Sequence, residues 1–119
     1  MIELKTILLV EDNPKDVELT IEALSEHNLA NTVISLKDGV EAMDYLRYEG
    51  KYKNRRKGNP AVLLLDIKMS RMDGIEVLKQ IRLMESYANI PAIALTGYVS
   101  ETSRRRFQAA GFNGPVYCD

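Results

Sequence analysis

The sequence predicts an α/β protein: a parallel sheet with helices on both of its faces. Three observations carry this. The runs Ile7-Leu8-Leu9-Val10, Val62-Leu63-Leu64-Leu65 and Ala92-Ile93-Ala94-Leu95 are apolar without a break, as in strands covered on both sides rather than one. The segments between them carry apolar residues at helical spacing. Strand and helix alternate strictly along the chain, an order that right-handed crossovers turn into one parallel sheet.

Each element has its own local reason. The first strand is expected over residues 5–10. Asn13-Pro14 then reads as a helix start, with Asn13 as N-cap, Pro14 at the first helical position and Asp16 favourable in the first turn. Val17, Ile21 and Leu24 give the face that packs on the sheet, and the helix is expected to end near His27-Asn28. Thr32-Val33-Ile34-Ser35-Leu36 reads as the second strand. Asp38-Gly39-Val40-Glu41 has capping-box spacing, and Val40, Met43, Tyr45 and Leu46 supply the apolar side of a second helix. Residues 49–59 carry Lys51, Lys53, Arg55, Arg56 and Lys57 with no apolar period, so an exposed, solvated loop is expected there. The third strand covers residues 61–66. Asp73-Gly74-Ile75-Glu76 repeats the capping spacing before a helix whose inner stripe is Ile75, Leu78 and Ile81. Residues 91–95 form the fourth strand. Ser100 caps a fourth helix ending at Ala110-Gly111, where glycine can take a positive φ. Residues 115–118 make a short fifth strand.

Length and composition bound the function. The 119 residues suit one domain, 1–119, with 45% hydrophobic and 28% charged residues, which is enough apolar material for a core without staples. A net charge of −1 gives no overall pull toward nucleic acid or acidic lipid. The basic run at residues 51–57 lacks aromatic interleaving or a recognition helix, so no nucleic-acid partner is expected. No apolar stretch reaches membrane-spanning length, and residues 1–5 lack the pattern of a secretory signal. With the lone Cys118 allowing no internal disulfide, a cytoplasmic location is expected.

The chemistry is expected where the strands end. The first apolar run ends in Glu11-Asp12, the third strand in Asp66 and the fourth in Thr96. Ligand sites in open α/β sheets lie outside the carboxyl ends of the strands. Three acids and a hydroxyl would meet there. Taken singly, Glu11 and Asp12 read as solvated loop acids and Thr96 as a turn cap. Together they suit a divalent cation and a phosphoryl group, with Asp66 as the candidate acceptor.

These residues bring the chain to a family. Ile7-Leu8-Leu9-Val10-Glu11-Asp12-Asn13, Asp38-Gly39-Val40-Glu41-Ala42, Leu63-Leu64-Leu65-Asp66-Ile67-Lys68-Met69, Met72-Asp73-Gly74, Ile90-Pro91-Ala92-Ile93-Ala94-Leu95-Thr96 and Ala109-Ala110-Gly111 follow in order. In this series the chain resembles the receiver domain of two-component response regulators over residues 5–114. The resemblance implies a flavodoxin-like, doubly wound sheet of five strands in the order 2-1-3-4-5. It implies that Asp66 accepts a phosphoryl group from a histidine kinase or phosphotransfer protein. It further implies Mg2+ held by Glu11, Asp12, Asp66 and the Lys68 backbone carbonyl, and Thr96 hydrogen-bonding the phosphoryl group. Such a protein is a signalling switch rather than an enzyme with an external substrate. Its downstream target is a protein; a homodimer is expected separately, from apolar surface that a missing last helix would expose. A long loop before the third strand is similar to that of single-domain regulators partnered with phytochrome-type and hybrid kinases.

The chain departs from the family after Gly114. Pro115 stands where a switch aromatic is usual, Cys118 where a lysine is usual, and the fifth helix is missing, so an altered or truncated C-terminus is expected. Ser70 replaces a common proline. Lys68 and Tyr98 occupy positions that tune water access to the phosphoryl group. The rival reading is an interaction module that keeps the scaffold without switching. An aspartyl phosphatase reading is weaker, because the position two residues after Asp66, where such enzymes carry a second aspartate, holds Lys68.

Overall fold

The computed structural model describes residues 6–26, 32–69, 72–96 and 101–117, with the backbone alone at residues 96, 101–103 and 114–117. The strands are β1 (Thr6–Val10), β2 (Thr32–Leu36), β3 (Val62–Asp66), β4 (Ala92–Thr96) and β5 (Gly114–Tyr117). The helices are α1 (Pro14–Glu26), α2 (Gly39–Arg47), α3 (Gly74–Arg82) and α4 (Glu101–Ala110). All strand pairs are parallel, and the sheet order is β2-β1-β3-β4-β5.

The pleat divides the core into two layers. Leu8, Val10, Leu63, Leu65, Ala92 and Ala94 face α2, α3 and α4, meeting Leu46, Leu78, Ile81 and Phe107. The alternate residues Ile7, Leu9, Leu64 and Leu95 face α1, where Val17, Ile21 and Leu24 pack on them. The sheet is therefore doubly wound, and the continuous apolar strands are covered on both sides as their sequence requires.

The expected caps form. The Asn13 side chain accepts the Lys15 N–H at 2.9 Å, Asp38 the Glu41 N–H at 2.8 Å and Asp73 the Glu76 N–H at 2.9 Å. The two glutamates of these capping pairs also reach other partners. Glu41 accepts from the Lys37 N–H and pairs with Lys51, and Glu76 accepts from Gln80. The last residue of the α4 turn, Gly111, has φ 108°.

Some expectations need correction. Val40 is exposed, and Gly39 and Ala42 fill the buried face of α2 beside Met43 and Leu46. Gly39 is pressed too closely against Val77 and Met72 for any side chain to fit. Residues 49–59 are not a simple solvated loop. They begin with a 3-10 turn, Gly50–Tyr52, and Arg55 folds back onto α2. Its guanidinium lies 3.9 Å from the Tyr45 ring and 3.8 Å from the Tyr48 ring, while its Nε donates to the Tyr45 carbonyl at 2.7 Å. A basic residue in a polar run reads as solvated, whereas Tyr45 of α2 and Tyr48, the residue that caps its C-terminus, make it part of the packing. β4 starts at Ala92 rather than Pro91, and β5 at Gly114 rather than Pro115. Pro115 sits on an edge strand, where a missing N–H is tolerated. The expected features at Lys5, His27, Asn28, Ser70, Tyr98, Ser100 and Cys118 lie outside the described residues.

Candidate functional site

β1 and β3 are neighbours in register, with Val10 beside Leu65. One step further along each strand come Glu11 and Asp66. Both share the pleat parity of Leu9 and Leu64, so they emerge on the α1 side of the sheet. Asp12 follows in the turn that leads into α1. The outcome is a cluster of three carboxylates, Glu11, Asp12 and Asp66, each offering an oxygen within 4.8 Å of the others.

Their surroundings differ. Glu11 is 6% exposed, Asp66 is half-buried and Asp12 faces solvent. The β1–α1 turn fixes Glu11, whose backbone N–H donates to the Leu36 carbonyl and whose Oε1 accepts the Asn13 N–H at 3.1 Å. Asp66 Oδ1 accepts the Lys68 N–H at 3.2 Å. Burial pushes the Glu11 carboxyl up to about 8, with the nearby Asp66 charge adding to the rise and the Asn13 N–H opposing it. Asp66 is also raised, first by burial and then by the charges of Asp12 and Asp16. The hydrogen bonds from Glu11 and the Lys68 N–H hold it back. Without a cation, burial and crowding favour the protonated form of Glu11 beside Asp66, so a proton offsets part of the repulsion. Such a set of hard, crowded oxygens gains most from a small divalent cation, which replaces that proton and neutralises the repulsion.

The loop after Asp66 is held from below. The Gly74 N–H donates to the Ile67 carbonyl at 3.2 Å. A Cβ on Gly74 would overlap the Asp66 carbonyl oxygen and stand 3.0 Å from its carbon. Met72 takes the left-handed conformation at φ 58° without being glycine. In the sequence Asp73-Gly74 reads as a helix start and as part of the family series, with no role at the Asp66 carbonyl. The dipeptide was the available signal, but the close approach of the α3 N-terminus to the Asp66 carbonyl exists only in three dimensions.

The structure thus gathers Glu11, Asp12 and Asp66 and ties Lys68 to Asp66 through its backbone N–H. Thr96 closes β4, one position beyond Leu95, which is the register partner of Asp66.

Comparisons with known proteins agree with this fold. The response regulator receiver domain family matches residues 7–117. The response regulator Rcp1 of Synechocystis sp. is 38% identical over 92 residues, covering 77% of this chain and 61% of that relative. The chain thus spans about three fifths of that relative's length. Among solved structures, the bacteriophytochrome response regulator AtBRR is 46% identical with a TM-score of 0.87, covering 98% of this chain and 83% of that one. The Mn2+-bound form of Rcp1 is 32% identical with a TM-score of 0.83, covering 97% and 81%.

Proposed function

Because the chain belongs to the response regulator receiver domain family, we propose that Asp66 is its phosphoacceptor and that Glu11, Asp12 and Asp66 hold Mg2+, with the Lys68 backbone carbonyl as a further ligand. The observation that carries this reading is the convergence of the three carboxylates at the carboxyl ends of β1 and β3.

The roles follow from position. Asp66 projects from the end of a central strand, half-buried yet reachable. Its carboxylate oxygen forms the new P–O bond as the P–N bond of a phosphohistidine breaks and the imidazole leaves, taking up a proton. Glu11 and Asp12 lie beside it as hard oxygen donors. The cation, when bound, neutralises charge on the transferring oxygens. The Lys68 N–H holds one Asp66 oxygen, leaving the other to attack. Thr96, at the end of the neighbouring strand, is assigned the hydrogen bond to the phosphoryl group. The donor is a histidine kinase or phosphotransfer protein, and the likeness to a bacteriophytochrome response regulator favours a phytochrome-type kinase. The chain acts as a switch whose output is protein contact.

The test is intact-protein mass after incubation with acetyl phosphate and Mg2+. One phosphoryl group adds to the parent and none to Asp66→Asn. No addition to the parent, with Mg2+ binding shown separately, would replace this reading with the non-switching interaction module.

A further inference from the structure

A second polar site lies at the other end of the same strands. Thr6 and Thr32 open β1 and β2 as register partners. Five residues of parallel strand separate this end from the carboxylates, roughly 15 Å. Between these residues and the segment preceding β3 is a cavity of about 710 Å³, lined among others by Thr6, Thr32, Arg55, Arg56, Lys57 and Asn59. That is within the size range of small-ligand pockets. Among the described residues, its lining includes three cations and no carboxylate.

Arg55 supplies the rigid wall. Besides its stacking on Tyr45 and Tyr48, its Nη1 donates to the carbonyls of Arg56 at 3.0 Å and Gly58 at 3.3 Å. The Tyr48 hydroxyl accepts the Gly58 N–H at 3.1 Å, closing the loop on α2. Every acceptor in this set is neutral. Arg55 Nη2 is buried with no hydrogen-bond partner, and among the described residues no carboxylate pairs with this half-buried guanidinium. The two ring faces and three carbonyls compensate that charge in part, and a nearby anion would add to this. Arg56 and Lys57 extend from the same fixed loop into solvent, and among the described residues neither pairs with an acid. Packing accounts for Arg55 but asks nothing of its two neighbours.

We propose that this cavity binds a small phosphate-rich anion, with Arg56 and Lys57 contacting the phosphoryl oxygens, Thr6, Thr32 and Asn59 offering polar contacts, and Arg55 fixing the loop. Arginine and lysine together suit such oxygens, the guanidinium through paired N–H donors and the ammonium as a point charge. The site is independent of phosphoryl transfer at Asp66 and stands or falls apart from it.

The experiment titrates sodium tripolyphosphate, in metal-free buffer, into 15N-labelled full chain while backbone amide shifts are followed. Saturable shifts confined to Thr6, Thr32 and residues 55–59 are expected, unchanged in Asp66→Asn. The double variant Arg56→Ala, Lys57→Ala touches only exposed side chains and keeps the fold. It weakens binding about tenfold or more, the loss of charge-assisted hydrogen bonds. No saturable shift at millimolar anion, equal binding by the double variant, or equal shifts at Lys51 and Arg104 would each overturn the proposal. The last of these would mean diffuse attraction to any exposed cation.

Discussion

Glu11 makes the pH dependence of stability an informative probe of the carboxylate cluster. Its carboxyl moves from 4.5 to about 8 on folding, chiefly through burial. The folded state therefore binds a proton that the unfolded state releases. The stabilisation is fully present below pH 4.5 and is lost as pH rises through about 8. At about 1.4 kcal/mol per pH unit, the ceiling on this loss is about 5 kcal/mol. A chain of this size gives up roughly 4 °C of melting temperature per kcal/mol. The metal-free protein should therefore melt roughly 10–20 °C lower at pH 8.5 than at pH 5. Asp66 is shifted in the same direction and adds to the slope. Glu11→Gln removes the titrating group and flattens the curve. Mg2+ reverses the slope in the parent, because it takes the place of the proton and binds better as pH rises. Calorimetry in EDTA and in Mg2+ from pH 5 to 8.5 measures all three. A melting temperature in EDTA that is flat or rising with pH, and the same in Glu11→Gln, would refute the burial and crowding argument.

Other expectations concern the scaffold that holds Asp66. Gly74→Ala forces a methyl onto the Asp66 carbonyl. It should cost about 1–3 kcal/mol and slow acetyl-phosphate labelling, whereas Gly58→Ala, strained by its own φ of 151° but meeting nothing around it, costs stability and leaves labelling unchanged; chemical denaturation and intact mass separate the two effects. Asp73→Ala removes the acceptor for the Glu76 N–H and should cost about 1 kcal/mol in urea unfolding, with Asp73→Asn recovering most of it. Arg82 donates to the carbonyls of Tyr87 and Gly111 and to the Asn113 side chain, tying α3 to the segment after α4. Arg82→Ala removes a donor from each; Asn113 keeps the Ala92 N–H and Tyr87 the Ile90 N–H, so the cost should be about 1–3 kcal/mol, and faster amide exchange should appear first in α4 and β5.

The sequence by itself determined the layers and the ends of the elements. Unbroken runs such as Leu63-Leu64-Leu65 have only one favourable placement, in a strand covered on both sides, and Asn13, Asp38 and Asp73 announce helix starts because their side chains satisfy N–H groups two or three residues away. These are local effects, legible from neighbours in the chain. The same holds for Glu11, Asp12 and Asp66, since parallel strands bring their carboxyl ends together whatever the details of packing. What only the tertiary structure decided involves partners distant in sequence. Arg55 is solvated by its own neighbourhood but is taken up by Tyr45 and Tyr48, ten and seven positions away in the last turn and C-cap of a helix that could have turned another face. Gly74 reads as part of a cap until the Asp66 carbonyl is found against it. Burial, too, belongs to the fold. A glutamate in a turn titrates as an ordinary acid, and it is the closing of α1 and the neighbouring strand ends over Glu11 that removes its water and raises its affinity for a proton.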